Sequence, residues 1–292
     1  MKKLTIFANF LINSEERFLR MKDSFKSFEK ANIDYWVINV RGKHRKKACT
    51  FLKKNIHRDK LKIFLITDNN WMKSTKKILK HIKTKLVFFW VEDHICMTGY
   101  KFFNLVINDM LKHNIQYLQY SWFLQGLTIK STKNIKYKST KSMIYFNYTK
   151  KILNQRLDWF KSNKKPNQLE YIVSMLSILT SDLFKKIILK NEISFFNSNN
   201  PFSFEKNTNQ TQWLPYKTGI VKREFFAAID DDELTKNYSL ISRGQYPKRK
   251  TYKDMNVIRK NESGSIHNLL GRIYFSKFLE FFKYPFKKIL RY

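Results

Sequence analysis

Glycine is scarce in this chain of 292 residues, which contains only 7 glycines. Neither of the common glycine-rich phosphate motifs occurs. No Gly-x-Gly-x-x-Gly follows the first predicted strand, and no Gly-x-x-x-x-Gly-Lys-Ser/Thr is present anywhere. A dinucleotide fingerprint and a P-loop are therefore excluded. If a nucleotide binds here, a metal ion or basic side chains must neutralise its phosphates.

Cysteine and long apolar runs are also lacking. Cys49 and Cys96 show no metal-ligand spacing and are too few for a disulfide framework, which is typical of a reducing compartment. No stretch reaches the roughly 18 apolar residues of a membrane span, and the nearest, Tyr171–Phe184, is interrupted by polar residues. Asn9 and Asn13 end the first apolar run too early for a signal peptide. These features predict a cytoplasmic protein.

Acidic residues are few, since 23 Asp and Glu face 57 Lys and Arg, a formal net charge of +34. Such a charge favours nucleic acid, an anionic membrane surface or a phosphorylated ligand. The abundance of Lys, Asn, Ile and Phe is also typical of an AT-rich genome, so part of the charge has a compositional cause. The basic residues are scattered and form no known nucleic-acid motif, which weighs against a dedicated nucleic-acid-binding protein.

Strands and helices alternate along the first part of the chain, where each strand-helix unit takes roughly 25–30 residues, a βαβ spacing. The predicted strands are Leu4–Phe10, Tyr35–Val40, Leu61–Thr67 and Leu86–Val91. Amphipathic helices are predicted between them, the first with Ser14 as its N-cap and the third over Ser74–Ile82. Further along, a strand is predicted over Tyr171–Ile178 and a helix over Leu179–Lys190. This alternation predicts an α/β fold with a mostly parallel central sheet flanked by helices.

The fourth predicted strand, Leu86–Val91, is followed directly by Glu92, Asp93 and His94. Ligands of open α/β sheets bind at the carboxyl ends of the strands. Two adjacent acids at that place suit a hard divalent cation, which prefers oxygen ligands and bridges phosphates. The alternative is that these acids cap the next helix or face solvent.

Polar residues also follow the other three strands. They are Asn9, Arg41, and Asp68 with Asn69. Asp68 and Asn69 are suited to hydrogen-bond a base or ribose, and Arg41 to pair with a phosphate or stack on a base. The alternative is general, because loops after strands are polar in any α/β protein. The coincidence of four polar strand ends predicts a shared crevice.

Two acidic positions further along the chain are additional candidates for the site. Glu205 follows Phe202 and Phe204, and a partly desolvated carboxylate can act as a general base. Asp231 belongs to an acidic run that we interpret as a second metal or acceptor-binding element. The alternatives are a surface acid beside Lys206 and a solvated helix N-terminus, respectively.

This pattern resembles the glycosyltransferases of the GT-A fold, in particular family 2-like enzymes of bacterial surface-polysaccharide assembly. The segment Phe88–His94 stands where these enzymes carry an acidic Asp-x-Asp-type metal motif, and Asp68 with Asn69 matches their base-contacting acid. The sequence departs from the family in three ways. Its motif ends in a histidine, Arg41 replaces the acid after the second strand, and the Gly-Gly-Phe and Gln-x-x-Arg-Trp signatures are missing.

The resemblance implies a hexosyltransferase that moves a sugar from a nucleotide-sugar donor to a glycan or lipid-linked acceptor. It implies a nucleotide-sugar-binding half at residues 1–120 and an acceptor-binding half of the same domain at 121–260. A divalent metal, Mg or Mn, would be held by Asp93 and His94, unless the site is metal-independent. The remaining implied roles are donor binding by Asn9, Arg41, Asp68, Asn69 and Glu92, and catalysis by Glu205 and Asp231.

Two other classes of function remain open on the same residues. A basic nucleic-acid-binding protein is one alternative, and a metal-dependent nucleotidyl or phosphoryl transferase is the other. The C-terminal segment 261–292 alternates basic and aromatic residues, and 272–292 has the pattern of an amphipathic helix. We interpret it as peripheral anchoring to an anionic membrane, at the inner face of the plasma membrane. The alternative is a helix that packs its phenylalanines onto the domain.

Overall fold

The structure is a computed structural model. It describes residues 2–68, 70–121, 128, 131–132, 135–163, 173–189, 201, 210–230 and 238–249. Asn69, Glu205, Asp231 and the segment 272–292 lie outside these ranges, so the roles predicted for them stay predictions.

Eleven strands and six α-helices are formed within the described residues. The strands are β1 Leu4–Leu11, β2 Tyr35–Arg41, β3 Leu61–Phe64, β4 Leu86–Phe89, β5 His94–Cys96, β6 Tyr117–Gln119, β7 Lys138–Ser139, β8 Met143–Tyr148, β9 Ser177–Thr180, β10 Tyr216–Val221 and β11 Phe226–Ala228. The helices are α1 Glu15–Phe28, α2 Arg45–Asn55, α3 Trp71–Ile78, α4 Gly99–Lys112, α5 Lys150–Ser162 and α6 Ser181–Leu189.

Nine of these strands form one sheet in the order β3-β2-β1-β4-β9-β6-β10-β8-β7. The strands β3, β2, β1 and β4 are mutually parallel, and β10 is parallel to β6. β9 runs antiparallel to both β4 and β6, and β8 runs antiparallel to β10 and β7. Within this nine-stranded sheet, all strands except β8 and β9 therefore point the same way. The predicted α/β fold with a mostly parallel central sheet flanked by helices is confirmed.

The first half of the chain forms the predicted elements because their signals are local. Residues 4–10 of β1 are buried, as expected for a strand covered on both faces. Ser14 caps α1, and its hydroxyl accepts a hydrogen bond from Arg17 N at 3.2 Å. α3 begins at Trp71, three residues before the predicted Ser74, because the Asn70 side chain caps it by accepting from Lys73 N at 2.8 Å.

The prediction was wrong around β9. A strand was expected over 171–178 and a helix from Leu179, whereas β9 covers Ser177–Thr180 and α6 starts at Ser181. Ser174 accounts for the late start of the strand. Its hydroxyl accepts from Leu176 N at 3.1 Å, and its carbonyl accepts from the Ser177 hydroxyl at 2.6 Å. Such local bonds give the backbone an alternative to the ladder.

The sheet buries an apolar cluster on each of its faces. One cluster contains Phe28 of α1 and Trp90, whose ring centroids lie 5.4 Å apart in an edge-to-face pair. The other contains Phe7 of β1 and Phe184 of α6, with centroids 5.0 Å apart. Two buried faces hold the parallel strands in place and fix where their carboxyl ends lie.

The chain divides into two compact units, Met1–Phe226 and Ala227–Tyr292. Within the second, Leu240 N donates to Ala228 O at 2.9 Å and Ile241 N to Ile229 O at 3.0 Å. The boundaries predicted for the nucleotide-sugar and acceptor halves stay predictions. Among the residues that are described, no helix has the length and apolar character needed to cross a bilayer.

Substitution of Gly42, which directly follows β2, tests how closely the backbone packs at this end of the strand. Its φ is +94°, and a Cβ there would lie 2.5 Å from Asn13 Oδ1 and 2.7 Å from Ile12 O. Gly99 is the matched control, because its φ is +73° but a Cβ would meet nothing within 4 Å. We expect Gly99→Ala to lose about 1 kcal/mol of unfolding free energy for backbone strain, and Gly42→Ala to lose about 3 kcal/mol or more. Urea unfolding measures both, and equal losses would contradict the clash.

Candidate functional site

The carboxyl ends of β1, β2, β3 and β4 meet at one edge of the sheet, as their parallel pairing requires. Leu11 pairs with Arg41 at the ends of β1 and β2, and Ile12 N donates to Arg41 O at 2.9 Å. Trp90 N, just past β4, donates to Phe7 O at 2.8 Å. The predicted residues that follow these strands therefore lie at a common edge, which we call the strand-end crevice.

Arg41 and Asp68 form one side of the strand-end crevice. Arg41 is only 5% exposed, and its Nη1 donates to Asp68 O at 3.3 Å. Burial lowers the pKa of Arg41 and the charge of Asp68 raises it, but an arginine remains cationic in proteins. Asp68 Oδ1 accepts from Asn70 N at 3.0 Å, and Oδ2 lies 3.6 Å from Lys73 Nζ. The Asn70 hydrogen bond, followed by Lys73, lowers the pKa of Asp68.

Arg17 and Glu92 form the other side of the strand-end crevice. Arg17 was not among the site residues predicted from the sequence. Arg17 Nη1 donates to Leu11 O at 3.1 Å and to Glu92 Oε1 at 3.0 Å, joining the end of β1 to the segment after β4. The side chain of Arg17 is 38% exposed and that of Glu92 is 14% exposed. Burial raises the pKa of Glu92, against the opposing effect of Arg17. The feature of the sequence that could have indicated Arg17 is a basic residue in the first turn of the helix that follows β1.

Asp93 and His94 bind each other. His94 Nδ1 and Asp93 Oδ1 are 2.7 Å apart, the imidazole is 4% exposed, and its ring packs edge-to-face on Tyr120 with centroids 5.8 Å apart. The Asp93 side chain is 40% exposed. Burial acts to raise the pKa of Asp93, but the charge and hydrogen bond of His94 outweigh it and lower this pKa to about 2. Asp93 is therefore the carboxylate that faces the crevice, and His94 supports it from inside.

This donor set does not fit a divalent metal held by protein ligands. His94 uses Nδ1 for Asp93 and buries its ring, and Glu92 Oε1 is paired with Arg17. The ranges that the structure covers contain no group of three or more His, Cys, Asp or Glu residues able to hold a metal ion. The metal role predicted for Asp93 and His94 therefore has no support from this geometry.

Asn9 also does not fit its predicted role in ligand binding, because its amide is used inside the protein. Its Nδ2 donates to Trp71 O at 3.1 Å, Ser74 Oγ at 2.8 Å and Thr75 Oγ1 at 2.9 Å. Its Oδ1 accepts from Asn39 Nδ2 at 3.0 Å. At 7% exposure, Asn9 joins β1 to α3 beneath the strand-end crevice.

A cavity of about 730 Å³ opens at the opposite edge of the sheet, where β6 and β10 begin. None of the predicted site residues that the structure describes lines it. Its walls include Gln116, Asn147, Asp182, Trp213 and Lys217. Asn147 and Asp182 on its rim are exposed, whereas Trp213 is buried. The cations and acids that suit nucleotide chemistry lie at the strand-end crevice, so we place the candidate site there.

No protein-family model matches this chain, and no curated protein matches it. Among solved structures it is similar to TarS of S. aureus, with a TM-score of 0.48, 14% identity, and coverage of 79% of this chain and 37% of that chain. It is similar to TarS residues 1–349 in complex with UDP-GlcNAc, with a TM-score of 0.45, 13% identity, and coverage of 77% and 57%.

It is also similar to a cytidylyltransferase from Leptospira borgpetersenii serovar Hardjo-bovis (strain JB197). The TM-score is 0.44 at 13% identity, and the match covers 90% of this chain and 96% of that chain. By contrast, the match to TarS covers little more than a third of that chain. The case for the site rests on this chain's own residues.

The structural role of Asn9 predicts a large loss of stability on its removal. Asn9→Ala leaves Asn39 Nδ2, Ser74 Oγ and Thr75 Oγ1 without their amide partner in the interior. We expect a loss of about 2–4 kcal/mol of unfolding free energy in urea titrations. Asn55→Ala is the control, because the exposed Asn55 makes a single bond to Phe51 O, and it should lose less than about 1 kcal/mol. A similar small loss for Asn9→Ala would refute the structural role.

The Asp93–His94 pair predicts a pH dependence with a defined sign. The pKa of Asp93 is about 2 in the folded protein, below its ordinary 3.8, so its contribution to stability is present above pH 4 and is lost as the pH falls toward 2. The stability difference between wild type and Asp93→Asn should therefore shrink over that range. Urea unfolding at stepwise pH measures this difference. A difference that stays constant down to pH 2.5 would show that His94 does not stabilise the carboxylate.

Proposed function

We propose that this chain is a nucleotide-sugar-dependent glycosyltransferase whose donor binds in the strand-end crevice. The observation that carries the proposal is the meeting of two arginines and three acids at the carboxyl edge of four parallel strands. Arg17 and Arg41 supply the cations, and Asp68, Glu92 and Asp93 supply the acids. Open α/β sheets bind ligands at this edge, and the chain has no glycine-rich phosphate loop to do the same work.

Asp68 and Arg41 are placed to bind the nucleoside part of the donor. The carboxylate of Asp68 is 24% exposed and anionic, so it can accept hydrogen bonds from ribose hydroxyls or from base N–H groups. The planar guanidinium of Arg41 lies beside it and can stack on a base or pair with a phosphate. The proposal assigns the same role to the neighbouring Asn69, as the sequence predicts.

The diphosphate needs cations, because negative charge grows on the leaving nucleotide as the glycosidic bond breaks. Arginine side chains in a partly buried site supply this stabilisation without a metal ion. In the reaction, the acceptor hydroxyl attacks the anomeric carbon of the donor sugar and the bond to the diphosphate oxygen breaks. The hydroxyl proton passes to a carboxylate, for which Glu205 and Asp231 remain the proposed candidates.

The acceptor and the cellular setting complete the proposal. A glycan or lipid-linked acceptor of bacterial surface-polysaccharide assembly is proposed, with the basic aromatic segment 272–292 at an anionic membrane. A nucleotidyl transferase would use the same crevice, since it also binds an anionic nucleotide there. Parallel incubations with a radiolabelled nucleotide-sugar and with a radiolabelled nucleoside triphosphate separate the two. Sugar transfer from the first releases a nucleoside diphosphate, whereas nucleotidyl transfer from the second places the nucleotide on the acceptor and releases pyrophosphate.

Calorimetry with UDP, GDP, CDP and TDP, each with and without Mn²⁺, tests the donor site. We expect at least one to bind, and to bind without Mn²⁺, because the cations belong to the protein. Asp68→Asn should weaken that binding about tenfold, the effect of losing one charge-assisted hydrogen bond. Asp59→Asn is the control, because this 85% exposed acid precedes β3 at the other edge of the sheet.

Two outcomes contradict the proposed function. One is folded protein that binds none of the four nucleotides under either condition. The other is a nucleotide affinity that Asp68→Asn and Asp59→Asn change by the same factor, since a long-range charge effect would then explain both variants.

A further inference from the structure

We infer that Arg17 is the residue that grips the diphosphate of the donor, and that Glu92 aims its guanidinium. This inference rests on the proposed donor site and adds the residue that recognises its phosphates. Arg17 lies in the first turn of α1, so the pattern of polar residues at the strand ends does not indicate it.

Within the described part of the chain, only one nitrogen of the Arg17 guanidinium makes hydrogen bonds. Both of its hydrogen bonds, to Leu11 O at 3.1 Å and to Glu92 Oε1 at 3.0 Å, are made by Nη1. The backbone N of Arg17 is held by the Ser14 hydroxyl at 3.2 Å, so the base of the side chain is fixed as well. The edge formed by Nε and Nη2 has no hydrogen-bond partner among the residues that the structure describes. That edge carries the parallel N–H pair that binds a phosphate in bidentate fashion.

Exposure separates Arg17 from the other two arginines of this region. Its side chain is 38% exposed. Arg20 is 6% exposed with Nε bonded to Glu16 Oε1 at 3.0 Å, and Arg41 is 5% exposed. Arg17 is thus the most exposed of the three arginines and the one that a phosphate reaches most readily from solvent. Its bonds to Leu11 O and Glu92 place it at the ends of β1 and β4, on the side of the strand-end crevice away from Asp68.

Glu92 is a positioning residue in this arrangement. Its carboxylate is 14% exposed and contacts only the Nη1 side of Arg17, so it turns the opposite edge outward. Leu11 O holds the same nitrogen from β1. A guanidinium fixed at one end loses little conformational entropy when it binds a ligand at the other, which favours affinity.

The test compares variants by calorimetry with two probes, the nucleoside diphosphate that wild type binds best and inorganic pyrophosphate. Arg17→Gln should weaken the diphosphate about ten- to a hundredfold, the range for losing a charge-assisted bidentate pair. It should change the affinity for the matching nucleoside less than twofold. Arg17→Lys keeps the charge but not the fork, and should fall between wild type and Arg17→Gln. Lys26→Gln is the charge-matched control in the last turn of the same helix.

In the Glu92 variants, the direction of the change in diphosphate affinity distinguishes orientation of Arg17 by Glu92 from an effect of the Glu92 charge alone. Removal of a negative charge alone should tighten binding of an anion. We expect Glu92→Ala to weaken diphosphate binding several-fold instead, because the guanidinium loses its anchor. Glu92→Gln keeps an oxygen for Nη1 and should bind at least as tightly as wild type.

Each outcome decides the inference. Equal diphosphate affinity for wild type, Arg17→Gln and Lys26→Gln would overturn the role of Arg17, and tighter binding by Glu92→Ala would overturn aiming by Glu92. Arg17-dependent binding of pyrophosphate by a wild type that binds no nucleotide would support the anion grip and refute the proposed function. Absence of binding to both probes would overturn both.

Discussion

The buried amide pair Asn9–Asn39 is the interaction on which the strand-end crevice depends. Asn39 Nδ2 donates to Asn9 Oδ1 at 3.0 Å, and Asn39 Oδ1 accepts from Ile66 N at 2.9 Å. The pair thus ties β1 and β2 to the segment after β3, and Asn9 ties the same strands to α3. Buried amides are stable only when their donors and acceptors are satisfied, so the network tolerates one arrangement of these elements. That arrangement sets where Arg41, Asp68 and Arg17 stand.

Above this network, acids and cations occur as matched pairs although the chain as a whole is strongly basic. Glu92 pairs with Arg17, Asp93 with His94, and Asp68 lies beside Arg41 and Lys73. Each acid therefore has a basic partner within reach, which offsets part of the desolvation that burial imposes. The charge of the crevice itself is thus nearly balanced, within a chain whose formal net charge is +34. An anionic ligand would be attracted by the surrounding charge and ordered by the fixed arginines.

Local features of the fold could be read from the sequence, and long-range features could not. The run Leu86–Phe89 and the cap Ser14 depend on neighbouring residues, so β4 and the start of α1 were predicted correctly. Arg17 was missed because its partner Glu92 lies 75 residues away. Asn9 was assigned to a ligand because strand ends are polar. Its position in β1 turns it toward the face that α3 covers, and no pattern in the sequence shows which helix lies there.

The same distinction applies to the second half of the sheet. The alternation of strands and helices predicts parallel crossovers, and it has no signal for an antiparallel strand placed between two parallel ones. Gln116 is an example of what settles the order, because its carbonyl accepts from Thr180 N at 2.9 Å across 64 residues of chain. Such a bond depends on the whole fold. The metal role predicted for Asp93 and His94 stays a prediction, and the hydrogen bond between the two side chains is a feature that their adjacency in the sequence does not show.

The placement of β9 has a consequence for how the sheet is completed during synthesis. β9 is the strand that joins the parallel group ending in β4 to the strands beginning with β6, and Leu86 pairs with Thr180. A nascent chain that has released β1 to β6 therefore still presents the bare edge of β4, whose four residues are all apolar and buried in the finished protein. Bare apolar edges recruit other strands, including those of neighbouring chains. The middle of this sheet, rather than its rim, is thus the part most in need of protection before residue 180 emerges.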